Sequence, residues 1–139
     1  MLIQVLWMGA VAGVIHFFLI GLLYGNPIVN RIYEEAQEKE AGVRKWPSKG
    51  NYLFTQFLGT QIEIYILTLV FLWLRPMIGW NGLTGALIFG VMLAAIRVYP
   101  RFWNMWIQST YPRNLLKLEV VNGTIGTLAV ASTLQMLSR

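Results

Sequence analysis

The sequence predicts an all-α protein: a four-helix transmembrane bundle with both termini on the extracytoplasmic side. Three observations carry that expectation. Hydrophobic residues make up 56% of the chain and charged ones only 12%, with a mean hydropathy of +0.55, outside the range of soluble domains. Four apolar windows, residues 2–24, 53–74, 83–99 and 115–137, approach the roughly 20 residues that a helix needs to cross a bilayer. Basic residues divide unevenly between the two sides. Nine lie in or beside the first and third connections (Arg31, Lys39, Arg44, Lys45, Lys49, Arg97, Arg101, Arg113, Lys117) and two, Arg75 and Arg139, on the other side, which places those connections in the cytoplasm. In 139 residues four spans leave no room for a soluble domain, so a single integral-membrane domain, 1–139, is expected.

The first window has no basic residue before it, and its first positive charge, Arg31, follows it. It therefore reads as a retained helix and not as a signal peptide. In the segment GNPIVNRIYEEAQEKEAG, Pro27 suits a first helical position, and Ile28, Val29, Ile32, Tyr33 and Ala36 recur at helical spacing before Gly42. That pattern predicts a short amphipathic helix on the cytoplasmic surface, with Glu35 and Lys39 paired at i, i+4. The acidic run Glu34, Glu35, Glu38 and Glu40 reads as a solvated face before it reads as a docking face. RKWPSKG, residues 44–50, sets three cations around Trp46 at the level of anionic lipid headgroups, its expected partners. The net charge of +5 then needs no nucleic acid to explain it.

The second window, QFLGTQIEIYILTLVFLWLRP, ends in RPMIGWNG, which predicts a tight external turn. After the third window, YPRFWNMWIQSTYPRN is rich in Trp and Tyr and holds Pro100 and Pro112, predicting a bent segment at headgroup level. Small residues four apart mark the packing sides: Gly9 and Gly13, Gly21 and Gly25, then Ala86, Gly90 and Ala94, then Gly123, Thr127 and Ala131.

The polar residues inside these windows carry the chemistry, because a charge in hydrocarbon persists only when paired, protonated or facing water. Glu63 lies near the middle of the second window, with Gln56, Gly59 and Thr60 on its face and Gln61 pointing elsewhere. His16 shares the face of Gly9 and Gly13, Arg97 that of Gly90 and Ala94, and Glu119 and Asn122 that of Gly123 and Gly126. At about 1.5 Å per residue, His16, Asn122 and Glu119 fall in the cytoplasmic half and Arg97 near the cytoplasmic rim. A single polar cluster opening to the cytoplasm is expected, its ligand-binding or ion-coupling candidates being Glu63, His16, Arg97, Asn122, Glu119 and Gln56. His16 and Arg97 are the available partners for Glu63.

Absences narrow the chemistry. The chain has no Cys and one His, so thiol, iron–sulfur, bis-histidine haem and three-histidine zinc sites within one copy are excluded. It has no Asp, no G-x-S-x-G elbow and no Gly-rich phosphate loop. No metal site and no cofactor is implied, although GVIHFF leaves axial ligation of a pigment by His16 as a minor variant.

RNLLKLEVVNG, residues 113–123, leading into a Gly-rich last helix, together with GLLYGNPI at the end of the first, resembles an uncharacterised family of small bacterial four-helix membrane proteins known as domain of unknown function 1761. The resemblance implies four spans in a bacterial inner membrane and no particular activity; Glu119 stands where that family is expected to carry an apolar or aromatic residue. A fainter topological likeness is to the membrane-associated eicosanoid and glutathione-metabolism family. That likeness rests on length, helix number, a long first connection and RVY at residues 97–99, while FTQFLGTQIE lacks that family's Asn and Glu pattern. Three functions stay open on the residues: a carrier or channel, as a possible homo-oligomer, with Glu63 binding a proton or ion; a protein binding an amphiphile, or an enzyme using Glu63 and His16 as acid and base; and a structural subunit.

Overall fold

The computed structural model describes residues 1–78 and 81–138, with the backbone alone at residue 78. Within them the chain is helical: α1 (Leu2–Gly25), α2 (Pro27–Lys39), α3 (Lys49–Ile78), α4 (Gly82–Gln108) and α5 (Arg113–Leu137). Four of these, all but α2, are long and apolar enough to cross a membrane, and the protein is a membrane protein. Their apolar residues point outward as well as inward, as a lipid-solvated bundle requires.

The short helix forms where Pro27 and the apolar spacing predict it, with Asn26 as its cap. Asn26 accepts a hydrogen bond from the Val29 amide at 3.0 Å, and Pro27 occupies the first turn, where its missing N–H costs nothing. The helix stops at Lys39, three residues before Gly42, and Glu35 pairs with Arg31 at 2.9 Å instead of with Lys39.

The third connection departs most from expectation. In place of an unwound segment after Tyr99, α4 runs through Pro100 to Gln108 and leaves only residues 109–112 as connection. Rings at i, i+4 spacing hold the extra turns: Tyr99 stacks on Trp103 and Phe102 packs on Trp106, centroids 6.3 and 5.5 Å apart. A proline inside a spanning helix is tolerated when its surroundings satisfy the freed carbonyl. Likewise α3 continues through Arg75 and Pro76 to Ile78, in place of a turn expected from residue 75; residues 79 and 80 of that expected turn, and Arg139, lie outside the described residues.

Helix α1 packs between α3 and α5, and α5 packs against α4. The small-residue stripes explain this order. Gly9 and Gly13 lie under Tyr65 and Gln61 of α3; Gly90 meets Leu128 and Ala131 of α5; Gly123 meets Val98 of α4. Gly21 and Gly25, in contrast, have no neighbour within 4 Å of where a Cβ would stand, so they mark no contact within this chain.

All four long helices converge only toward the end where the chain termini lie. There Met8, Ala12, Ile64, Leu67, Phe71, Phe89, Leu93, Val130, Ala131 and Leu134 form one buried cluster. Phe71 and Phe89 bridge α3 and α4 at 5.2 Å, and Arg75 donates to the Ser138 carbonyl at 2.7 Å. Beyond that cluster α3 and α4 touch little among the described residues, and the cleft between them holds the candidate site.

Candidate functional site

Helix α3 carries Glu63 at its midpoint and α4 carries Arg97 just past its own. Because the two helices run antiparallel, these residues meet at one depth. The Arg97 Nε donates to Glu63 Oε1 at 2.8 Å and Nη2 to Oε2 at 2.6 Å, a two-pronged fork. The third guanidinium nitrogen, Nη1, donates to Thr127 Oγ1 at 3.2 Å, while that hydroxyl donates to the Gly123 carbonyl at 2.7 Å. Thr127 thus fixes the far side of the guanidinium from α5. Arg97, expected nearer the cytoplasmic rim than Glu63, instead lies level with it, and α4 continues for three further turns beyond it.

Glu63 survives at that depth by pairing with Arg97. A lone charge at a helix centre costs about 2.5–3.5 kcal/mol on insertion scales, and a bidentate partner of opposite sign removes most of that cost. Yet the pair is not sealed. The Glu63 side chain is 48% exposed and that of Arg97 21%. One turn before Glu63, a Cβ built on Gly59 would meet nothing within 4 Å, and Gln56 on the same face is exposed.

His16 lies behind the pair, buried to 8% exposure and within electrostatic range of both charges. Its ring packs on Gly126 of α5, where a Cβ would stand 2.7 Å from His16 Cε1. The Gly126 backbone is within polar reach, but Nδ1 makes no well-directed hydrogen bond. Gln61 Nε2 is also buried without a protein partner, and Asn122 Nδ2, within polar reach of the Tyr24 hydroxyl, makes no well-directed hydrogen bond. Gln61, which the helical phase set apart from the cluster, faces Gly13 on α1. Three elements therefore present an unsatisfied polar atom to the interior, where each needs a partner.

Glu119 belongs to a second group at the α2 end of the bundle. It accepts from the Tyr111 hydroxyl at 2.6 Å and the Tyr33 hydroxyl at 3.2 Å, and Arg101 Nη2 lies 3.5 Å away. Tyr33 comes from α2 and also packs edge to face on Tyr24 of α1, centroids 5.6 Å apart. Burial, then the nearby Glu119 carboxylate, pushes the Tyr33 phenol well up from its ordinary range. Burial and the hydrogen bond to Glu119 do the same for Tyr111. Both hydroxyls remain donors at neutral pH. Asn122, 5% exposed and beside Tyr24, lies between the two groups.

The expected single cluster is therefore two. Glu63, Arg97 and His16 come together at mid-depth; Glu119 stands apart with its tyrosines; Asn122 lies between; Gln56 lines the cleft. Sequence reading missed Thr127, Gln61, Tyr33, Tyr111 and Arg101 as partners. Only Tyr33 carried a signal, being the one large polar-tipped residue on the apolar stripe of α2. Compared with protein-family models, curated proteins and solved structures, the chain finds no match.

Proposed function

We propose that the protein binds, and carries within the membrane, a small amphiphilic or ionic ligand whose anionic group exchanges with Glu63 for Arg97. The observation that supports this reading is a two-pronged ion pair at mid-depth, held in place from behind by Thr127 and left half open on the cleft side. An anion entering the cleft competes with the carboxylate for the same guanidinium. The displaced Glu63 then carries uncompensated charge in hydrocarbon and takes a proton. Anion and proton together leave the site neutral, so the two travel as a symported pair.

On this reading the chain sits in a bacterial inner membrane with both termini outside, as the basic residues favour. Arg97 leaves the cytoplasmic count, and eight of the original nine still stand at the α2 end against Arg75 and Arg139. The unpartnered Nδ1 of His16 beside the pair supports a second reading, a membrane enzyme in which His16 and Glu63 serve a lipid-like substrate as acid and base.

Native mass spectrometry of the purified protein tests the first reading. A stoichiometric bound mass in the wild type, absent in Arg97→Gln and retained in Glu63→Gln, which mimics the protonated acid, is the expected result. In liposomes, Glu63→Gln should then bind ligand without coupling its movement to protons. Retention of the mass in Arg97→Gln would overturn the exchange.

A further inference from the structure

We propose that two copies of this chain pair in parallel across the cleft between α3 and α4, about a two-fold axis along the membrane normal, so that Glu63 of each copy meets Arg97 of the other. The starting point is the exposure of the ion pair. Facing lipid, a carboxylate 48% uncovered at the bilayer midplane has neither water nor a further donor. The flank around it is shaped for close approach. Gly59 leaves open space one turn away, and the rims are apolar: Ile66 on α3 is 57% exposed and Ile96 on α4 66%.

The charges select both the partner and the symmetry. The acid sits on the α3 side of the cleft and the base on the α4 side, at one depth. A two-fold along the membrane normal exchanges sides, placing α3 opposite α4 of the second copy and acid opposite base, in a closed ring of four alternating charges. A two-fold lying in the membrane plane keeps each residue opposite its own kind and sets carboxylate against carboxylate. A second parallel copy is thus complementary to this flank, and an inverted one is not. The basic bias of the α2 end also requires every copy to insert the same way round. The interface does not depend on the ligand, since the second copy covers the pair whether or not an anion occupies it.

The chain contains no cysteine, so introduced thiols report without background. Two differently tagged full-length copies, one carrying Ile66→Cys and the other Ile96→Cys, would be coexpressed, reconstituted in liposomes and oxidised. A cross-linked heterodimer is expected, at several-fold higher yield than Ile66→Cys gives with itself. Single-molecule photobleaching of singly labelled protein should show two steps for the wild type and one for Gly59→Leu, a substitution with open space inside one copy that blocks approach of another. One-step bleaching of the wild type at every protein-to-lipid ratio would overturn the proposal, whether the monomer is empty, carries a lipid in the cleft or holds a different protein. Two-step bleaching with cross-linking confined to Ile66 against itself would overturn the parallel arrangement. A monomeric wild type that still retains its ligand mass would sink the dimer and leave the ligand reading standing.

Discussion

The two intramembrane glutamates share a side chain and differ in almost everything around it. Glu63 has one strong partner and a side chain 48% exposed on the open flank of α3; Glu119 has two phenols and a guanidinium around it and is 20% exposed. The partners differ in kind as well. A guanidinium attracts any anion that can reach it, whereas a phenol that stays protonated carries no charge. On the proposed reading Glu63 exchanges its partner, whereas Glu119 ties α2 to the bundle through Tyr33. The contrast teaches that two carboxylates within the spanning helices of one protein can have quite different surroundings, and that openness on one side distinguishes them better than position along the helix does.

The largest effect separating the two is expected at the pair of Glu63 with Arg97. Arg97→Gln removes both prongs of the fork and leaves Glu63 alone at mid-depth. Removing one partner of a buried ion pair costs about 3 kcal/mol, and the 48% exposure of the Glu63 side chain lowers that figure here. Denaturation titrated with ionic detergent should reveal that loss, and Glu63→Gln, which keeps one hydrogen bond but leaves the guanidinium charged and only 21% exposed, should lose at least as much, because Arg stays protonated. A clearly smaller loss in Glu63→Gln would mean that Thr127 and its surroundings serve the Arg97 guanidinium without the carboxylate.

At the second carboxylate the effects are smaller and local. Tyr111→Phe removes a hydrogen bond of 2.6 Å to Glu119 and Tyr33→Phe one of 3.2 Å. Hydrogen bonds to a charged group are worth about 1.5–3 kcal/mol, so Tyr111→Phe should cost more than Tyr33→Phe. The readout is amide hydrogen exchange in α2, which should quicken while ligand retention at Glu63 stays unchanged. A parallel fall in retention would mean that the two regions act as one. The pH dependence has a definite sign. Both phenols have pKa values raised in the folded state by burial and Glu119, so their contribution is complete below the unfolded value of about 10 and declines as pH rises above it. Protection of α2 should be flat from about pH 6 to 9 and fall beyond about pH 10.

Much of this architecture was legible before the structure. Hydropathy found the four long helices, because backbone satisfaction in lipid leaves few alternatives to a helix, and Pro27 with the apolar spacing after it found α2. Phase relative to the glycines turned Arg97 and His16 inward correctly. Two features were not legible. The far end of α4 is decided by rings that stack at i, i+4, an interaction that propensity for proline masks. Partners for Glu119 come from α2 and from the connection after α4, 86 and 8 residues away in sequence, and depend on how α2 docks. No helical phase contains that angle. Gln61 was turned away from the cluster correctly but landed against Gly13 of α1, since α1 packs on a different side of α3 than Glu63 occupies.

The smallest effects concern two glycines that look alike in sequence. Gly126→Ala puts a Cβ 2.7 Å from His16 Cε1 and 2.9 Å from Ile20 Cδ1, an overlap that side chains must move to relieve, at a cost of about 1–3 kcal/mol. Gly21→Ala meets nothing within 4 Å and should gain up to about 1 kcal/mol from helix propensity alone. A double-mutant cycle sharpens the first case. If the His16 ring carries the clash, most of the Gly126→Ala penalty should disappear in a His16→Ala background. Persistence of the full penalty would assign it to Ile20 and to the approach of the α1 and α5 backbones. His16 would then owe its position behind the ion pair to the packing of α1 as a whole, and the glycine opposite it would have no special part in holding the ring there.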